Sequence, residues 1–192
     1  DRLEALADEI AARGRPRPTV LTADLERHDA AAAIGAELAA RGLEPAIVVN
    51  NAGFGLTGAA AGLSRAQQLA MVDVNVRALT ELSLMFVDSL ARHRGGILNV
   101  ASLAAFLPGP GMAVYYASKA YVLHFTEALA EELRGTKASV SCLCPGPVKT
   151  NFQKRAGIAD TNLLNGGLLV DVREVARIGY EGMKAGKRVV IP

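Results

Sequence analysis

The sequence predicts an α/β protein built on a doubly wound parallel sheet, and two patterns support that prediction. Apolar runs of a few residues alternate along the 192-residue chain with longer stretches that have the 3.6-residue period of a helix. The short runs are mostly apolar throughout, which is typical of strands buried on both faces of a parallel sheet. Helices on both sides of the sheet would bury those faces.

The strands are predicted from their apolar content, their short length and the residues that flank them. Each run is bounded by glycine, proline or polar residues, which favour turns. The predicted strands cover residues 19–23, 46–50, 96–101, 139–144 and 187–191.

The helices are predicted between these strands. Leu3, Leu6 and Ile10 follow a helical period at the very start, so the chain is expected to begin inside a helix. Ser64 and Asp171 are suitable N-cap residues because their side-chain oxygens can accept hydrogen bonds from the first helical turn. The predicted helices cover residues 1–12, 29–41, 64–93, 114–134 and 171–185.

The chain is predicted to form a single domain over residues 1–192. Its length and its hydrophobic fraction of 51% are sufficient for one packed core. Residues 151–170 are polar, contain glycine and lack a periodic pattern. Loops of that length in a compact domain are usually functional lids or disordered segments, and we expect a substrate lid here.

Composition argues against several classes of partner. The net charge of +2 comes from 21 basic and 19 acidic residues without a basic stripe, so no nucleic-acid partner is expected. The apolar runs are far shorter than the ~20 residues that span a bilayer, so no membrane span is expected. His28, His93 and His124 are scattered without the spacing of metal ligands, so no metal site is expected.

The two cysteines, Cys142 and Cys144, lie in a predicted strand with one residue between them. That spacing directs both side chains to the same face of the strand. Two cysteines are too few for a disulfide framework or a metal centre. We therefore expect reduced core residues and a cytoplasmic protein.

Polar or glycine-containing segments follow four successive predicted strands. The carboxyl ends of parallel strands meet at one edge of the sheet, which is where such folds bind ligands. Strand ends also turn, and turns are rich in the same residues, so this pattern alone does not establish a site. The segments are Asp24, residues 50–53, Ser102 and residues 145–147.

The segment YYASK places Tyr115 and Lys119 four residues apart in a predicted helix. At that spacing the phenol and the amine lie on one face, one turn apart. An ammonium group at this distance would stabilise a phenolate and lower the pKa of the tyrosine. An ordinary helix carrying a half-buried tyrosine and a solvated lysine would show the same spacing, so the pair needs further support.

Five motifs in order resemble the short-chain dehydrogenase/reductase family, in its shorter single-domain branch. They are NNAG at 50–53, VNV around Asn75, NVAS ending at Ser102, YYASK at 115–119 and PGPVKT at 145–150. The match covers nearly the whole chain. It implies a Rossmann-like fold and an NAD(P)(H)-dependent oxidoreductase that interconverts a secondary alcohol and a carbonyl.

The resemblance assigns catalytic roles to four residues. Tyr115 would be the general acid or base, and Lys119 would lower its pKa and bind the ribose of the nicotinamide. Ser102 would hold and polarise the carbonyl oxygen, where negative charge develops. Asn75 would support a water molecule that passes protons to Lys119. Without the resemblance, Asn75 could equally be a tolerated polar residue on a helix.

The resemblance also assigns a cofactor site. Asp24 would contact the adenine amino group, and the turn after the second predicted strand would let the backbone approach the cofactor closely. Thr150 would hydrogen-bond the carboxamide of the nicotinamide. The remaining assigned positions are Asn51, Ala52, Gly53, Pro145 and Gly146, together with Tyr115 and Lys119.

The chain departs from the family pattern at its start. No G-x-x-x-G-x-G stretch is present, although family members bind pyrophosphate there at a helix N-terminus. We therefore expect the first strand-helix-strand unit of the fold to be missing from this chain. Residues in that unit decide between NAD and NADP. The DRLEAL opening is similar to a helix found in many NADP-preferring members, which favours NADP.

Two further predictions concern the substrate and the oligomeric state. Apolar residues between Ser102 and Tyr115 suggest a hydrophobic alcohol or carbonyl, although they could instead pack against another subunit. Family members commonly associate through the two long helices, so a homodimer or homotetramer is expected through residues 64–93 and 114–134.

Two other functions remain open from the sequence. A non-catalytic dinucleotide-binding or scaffold protein could retain the same fold. The extended branch of the family, with sugar-nucleotide epimerase or dehydratase chemistry, also uses Y-x-x-x-K. The short chain and the NNAG and PGPVKT segments argue against that branch.

Overall fold

The computed structural model describes residues 2–148, 150–157 and 171–192, and the described strands form one parallel sheet. The strands are β1 (Ile47–Asn50), β2 (Gly96–Val100), β3 (Ser139–Leu143) and β4 (Val189–Val190). They lie side by side in chain order. In the register of the sheet, Val49 of β1 is paired with Leu98 of β2, and Leu98 is paired with Ser141 of β3. Four of the five predicted strands are confirmed, although β4 is shorter than residues 187–191.

The strand predicted at residues 19–23 is wrong. This segment has no strand conformation and pairs with none of the described strands. A strand persists only through hydrogen bonds to a neighbour, and among the described residues β1 bonds to β2 alone. A locally apolar sequence is therefore not sufficient to make residues 19–23 a strand.

The helices confirm the predicted positions, with one long helix divided. Before β1 lie α1 (Arg2–Ala12) and α2 (Ala30–Ala40). The other helices lie between the strands: α3 (Arg65–Val72), α4 (Leu79–Met85), α5 (Val87–Arg92), α6 (Ala113–Glu132), α7 (Phe152–Ala156) and α8 (Val172–Lys184). Short 3₁₀ turns cover Ala60–Gly62 and Leu103–Phe106. The predicted N-caps are confirmed, since Ser64 accepts a hydrogen bond from the Gln67 amide and Asp171 accepts from Arg173 and Glu174.

The helix predicted over residues 64–93 contains a π-helical segment, Asp73–Ala78, between α3 and α4. It also breaks at Phe86, between α4 and α5. A π segment widens the helix by one residue per turn and usually marks a functional position. Amino-acid periodicity does not detect such a local widening, because the apolar face continues on both sides of it.

The sheet is packed between helices on both faces. On one face, Ile97 and Val140 contact Leu90 of α5 and Leu129 of α6, and the same face holds Cys142 and Cys144. On the opposite face, the strand residues Leu98, Leu143 and Val190 pack against Val175 and Met183 of α8. This alternation is the two-residue period of a strand. It confirms the doubly wound α/β architecture.

Both cysteines are free and fully buried, as predicted. Within the described ranges, no helix is long and apolar enough to span a membrane. The same part of the chain contains no cluster of three or more His, Cys, Asp or Glu side chains suited to a metal ion.

Candidate active site

The predicted site residues converge at the carboxyl edge of the sheet. The 51–53 turn leaves β1, Ser102 follows β2, and Pro145 and Gly146 follow β3. The Leu103 amide donates to the Pro145 carbonyl at 3.0 Å, which joins the second and third of these segments. Parallel pairing in register brings the three strand ends together, so residues distant in sequence become neighbours.

Tyr115 lies in the first turn of α6 with only 8% of its surface exposed, and its side chain lies near that of Ser102. Burial raises the pKa of Tyr115 above its ordinary value of 10, and the nearby Ser102 side chain partly offsets this increase. The net direction is opposite to the lowering expected from the YYASK spacing. Removal of the phenol from water is the largest contribution, and it favours the protonated form.

Lys119 lies one turn after Tyr115, with Nζ 5.9 Å from the centre of the tyrosine ring. The shared helical face predicted from the spacing is confirmed. Nζ donates a hydrogen bond to the Val100 carbonyl at 2.8 Å, and the side chain is 5% exposed. Burial lowers the pKa of Lys119 to about 8. The amine can therefore exchange a proton near neutral pH.

Asn75 lies in the π-helical segment and is 1% exposed. Its Oδ1 accepts from the Phe54 amide at 3.1 Å, and its Nδ2 donates to the Phe54 carbonyl at 3.0 Å. Nδ2 also donates to Ser118 Oγ at 3.0 Å, and Ser118 Oγ donates to the Tyr115 carbonyl at 2.7 Å. Asn75 thus connects the turn after β1 to the start of α6.

Asp24 and Thr150 lie away from this centre. Asp24 is exposed, and its Oδ1 accepts a hydrogen bond from the Glu26 amide at 3.1 Å in a tight turn. Thr150 is also exposed, and its hydroxyl accepts from the Phe152 amide at 3.1 Å. Of the predicted lid over residues 151–170, the described part is the turn at Asn151, helix α7 and Gly157; residues 158–170 lie outside the described residues.

Apolar side chains form a wall beside Tyr115, and they pack closely there because residue 55 is a glycine. The Phe152 ring lies 5.2 Å from the Tyr115 ring, centre to centre, at an angle of 45°. A Cβ atom at Gly55 would meet Phe152 at 2.9 Å and Met112 and Tyr115 at 3.2 Å. Apart from the residue type itself, no pattern in the sequence pointed to Gly55.

A chain of buried polar side chains beneath the site was not predicted. Asn50 Nδ2 donates to Ser83 Oγ at 2.9 Å and to Asn99 Oδ1 at 2.8 Å, and Asn99 Nδ2 donates to Thr126 Oγ1 at 3.0 Å. Because buried amides are costly unless they are paired, these bonds fix the two strands against the helices. The available signal was an asparagine inside each of two apolar strands.

Replacing Gly53 with alanine tests the close packing of this site. The added Cβ would lie 3.0 Å from Oδ1 of Asn75 and 3.4 Å from Lys119 Nζ. The Asn75 side chain cannot easily move, because its Oδ1 accepts from the Phe54 amide and its Nδ2 donates to the Phe54 carbonyl. We expect Gly53→Ala to lower the free energy of unfolding by about 1–3 kcal/mol, measured by urea denaturation.

Gly62→Ala is the matched control, because a Cβ there has no neighbour within 4 Å. It should raise the free energy of unfolding by about 0.4–1 kcal/mol, since it restricts the unfolded chain. Equal effects of the two substitutions would contradict the packing assigned to Gly53.

The depressed pKa of Lys119 predicts a pH-dependent stability. Between pH 8 and the unfolded value of 10.5, the unfolded state binds more protons than the folded state, so the free energy of unfolding rises with pH. The contribution of Lys119 to the free energy of unfolding is fully present above its pKa in the unfolded state. It is lost as pH falls through its pKa in the folded state. It amounts to up to about 3 kcal/mol.

Urea denaturation of the protein and of Lys119→Met across this pH window measures the contribution. As pH rises, the free energy of unfolding of the unsubstituted protein should increase relative to that of Lys119→Met. A difference that is independent of pH would show that the amine is not desolvated.

The comparisons with known proteins agree with this site. The sequence profile of the short chain dehydrogenase family matches residues 1–160. A protein of Myxococcus xanthus described as an uncharacterized oxidoreductase is 39% identical over 157 residues, which cover 79% of this chain and 60% of the relative. The matched part of the chain spans about 60% of the length of this relative and of a nodulation protein G from Rhizobium meliloti.

Solved structures show the same fold. A short-chain dehydrogenase from Sphingobium yanoikuyae in complex with NADPH has a TM-score of 0.86 at 29% identity, covering 100% of this chain and 74% of that one. A bulky-bulky ketone specific alcohol dehydrogenase from Comamonas testosteroni has a TM-score of 0.82 at 26% identity, covering 100% of this chain and 72% of that one. By its profile match, its relatives and its fold, this chain belongs to the short-chain dehydrogenase family.

Proposed function

We propose that the protein interconverts a secondary alcohol and a carbonyl by hydride transfer, with a nicotinamide cofactor and with Tyr115 as general acid or base. The observation that carries the proposal is the burial of Tyr115 beside Ser102, with the buried Lys119 one helical turn away. Such a group of donors at the carboxyl edge of a parallel sheet suits a substrate oxygen that gains negative charge.

The proton chemistry follows from the pKa directions. Tyr115 has a raised pKa and carries its proton at neutral pH, so it can donate that proton to a carbonyl oxygen that becomes an alcohol. Ser102 would donate a hydrogen bond to the same oxygen and orient it. Lys119, with a pKa of about 8, would return a proton to the tyrosinate through the ribose hydroxyls or water.

The residues around Gly53 fit a dinucleotide. A side chain at Gly53 would fill the space beside Asn75 and Lys119, so its absence leaves the backbone open to a bound group. Lys119 would bind the ribose, Thr150 the carboxamide and Asp24 the adenine amino group, while Asn51, Ala52, Pro145 and Gly146 would line the path between them. The nicotinamide, when bound, supplies or accepts the hydride. NADPH in a structural neighbour favours NADP over NAD.

A hydrophobic substrate is the best match to the surroundings of Tyr115. Phe152 and Met112 form the apolar wall next to the phenol, and Leu103 and Phe106, on the segment that follows Ser102, are about half exposed. The Comamonas relative is described as specific for bulky ketones, which agrees with a large apolar carbonyl compound.

We also propose self-association as a homodimer or homotetramer in the cytoplasm. Helices α3, α4 and α6 expose large apolar side chains, which support an interface between copies: Leu69, Val72, Leu84, Met85 and Tyr121. The free thiols of Cys142 and Cys144 support a reducing compartment.

Cofactor binding by the full-length protein tests the function directly. NADPH and NADH would be titrated separately and followed by their fluorescence, and a panel of hydrophobic ketones and aldehydes would then be added. We expect tighter binding of NADPH and ketone-dependent oxidation of the bound cofactor. A folded protein that binds neither cofactor would contradict the proposal and favour a scaffold role.

A further inference from the structure

Arg77 makes long-range contacts that the proposed chemistry does not use. Its Nη2 donates to three successive backbone carbonyls, those of Leu25, Glu26 and Arg27, at 3.3, 3.1 and 3.0 Å. These carbonyls belong to the turn that follows Asp24 directly. One guanidinium nitrogen therefore holds a turn that is about fifty residues away in sequence.

The other guanidinium nitrogens fix the arginine on its own helix. Nε donates to Asp73 Oδ1 at 2.9 Å, and Nη1 donates to Glu81 Oε2 at 3.2 Å. The side chain is 20% exposed. A planar guanidinium can satisfy both carboxylates and the carbonyls at once, whereas a lysine offers a single nitrogen. His28 lies beside the same centre, with Nε2 3.4 Å from Asp73 Oδ1.

The turn that Arg77 holds has few other means of fixing its position. Its local bonds run from the Glu26 amide to Asp24 Oδ1 and from the Arg27 amide to the Asp24 carbonyl, both at 3.1 Å. These bonds shape the turn but do not attach it to the sheet. Residues 19–23, which lead into it, form no strand. Arg77, together with His28 and the buried start of α2 at Ala30, places this turn against the rest of the molecule.

Arg77 is also two residues from Asn75, in the same π-helical segment. Asn75 holds the Phe54 backbone and Ser118, and Arg77 holds the turn after Asp24. A single widened helical turn thus connects the turn of Asp24, the turn after β1 and the start of α6, where Tyr115 lies.

We propose that Arg77 is a positioning residue for the adenine end of the cofactor. By holding the turn after Asp24, Arg77 sets the distance between the Asp24 carboxylate and the nicotinamide end of the cofactor site. Asn75, in the same π-helical segment, positions the residues at that nicotinamide end. This role rests on the proposed function, in which Asp24 meets the adenine amino group. Arg77 itself touches neither the reacting atoms nor the adenine.

The test is Arg77→Ala in the full-length protein, with affinity for AMP and for NADPH measured by calorimetry and with steady-state kinetics. Affinity for both nucleotides, and the KM for NADPH, should worsen by about tenfold or more, because bonds from a charged donor are lost. The kcat at saturating NADPH should stay within about twofold, since Tyr115 and Ser102 are undisturbed. Arg77→Lys should recover part of the affinity.

Arg177→Ala is the matched control, because Arg177 also bonds two acidic residues, Glu174 and Glu181, but lies on α8. It should leave nucleotide affinity unchanged. A double-mutant cycle of Arg77→Ala with Asp24→Ala should show that the two losses are not additive. If Arg77→Ala does not fold, Arg77→Lys and Arg77→Gln provide the same readouts.

The outcomes separate this role from the proposed function. Unchanged AMP and NADPH affinity in folded Arg77→Ala, or additive losses in the cycle, would overturn the positioning role alone. A fall in kcat with unchanged KM would overturn it as well. If the unsubstituted protein binds neither AMP nor NADPH, both the proposed function and this role are wrong.

Discussion

Tyr115→Phe is expected to lower kcat by about 10²–10⁴-fold while leaving cofactor affinity almost unchanged, because only the proton donor is lost. Phenylalanine keeps the ring that packs against Phe152 at 5.2 Å, so the apolar wall should persist. The interaction with the Ser102 side chain is lost with the hydroxyl. Steady-state kinetics with a ketone substrate would measure the change in kcat. Fluorescence titration with NADPH would measure the cofactor affinity.

Tyr116→Phe provides the control for this substitution. Tyr116 is the neighbouring residue in α6; its ring packs on Gly109 and meets the Tyr115 ring edge-on, with the ring centres 6.1 Å apart. The same loss of a hydroxyl should there leave kcat within about twofold. If Tyr115→Phe retains most of the activity, the proton comes from another group and the assigned mechanism is wrong.

Lys119→Ala is expected to reduce both turnover and cofactor affinity, which distinguishes it from Tyr115→Phe. The amine is proposed both to bind the ribose and to return a proton to Tyr115, so its removal affects binding and chemistry together. Loss of a charge-assisted hydrogen bond predicts at least a roughly tenfold weaker affinity for NADPH. Removal of the proton relay predicts a further loss in kcat of about 10²-fold.

Lys184→Ala is a closely matched control, because the chain contains a second Y-x-x-x-K pair, Tyr180 and Lys184. Lys184 Nζ lies 5.8 Å from the centre of the Tyr180 ring, nearly the same as the 5.9 Å in the proposed site. This pair is on α8, and both residues are exposed. Its substitution should leave both parameters unchanged. Unaltered NADPH affinity in Lys119→Ala would remove the ribose-binding role.

Much of the fold could be predicted because buried parallel strands have a local signature. Apolar runs and flanking turns located four strands, and helical periodicity with two N-cap residues located the helices. The strand expected at residues 19–23 failed because strand formation depends on a neighbouring chain segment. The π-helical segment around Asn75 also escaped prediction, because the widening involves backbone hydrogen bonds and leaves the side-chain period nearly intact.

The sequence predicted which residues would form the candidate site, but it did not predict their electrostatics. The i,i+4 spacing correctly placed Tyr115 and Lys119 on one helical face. It could not predict that burial raises the pKa of Tyr115 and lowers that of Lys119 to about 8. Desolvation depends on residues such as Phe152 and Val100, which lie far from α6 in sequence.

By itself, the sequence determined four strands, the helices and the four-residue spacing between the tyrosine and the lysine of each Y-x-x-x-K pair. These properties arise within a few neighbouring residues. It contains two Y-x-x-x-K pairs with nearly equal geometry. Only the tertiary structure decided that Tyr115 is buried against Ser102, while Tyr180 is 43% exposed on the far helix. The physical reason is that burial and polar partners come from segments that the fold brings together.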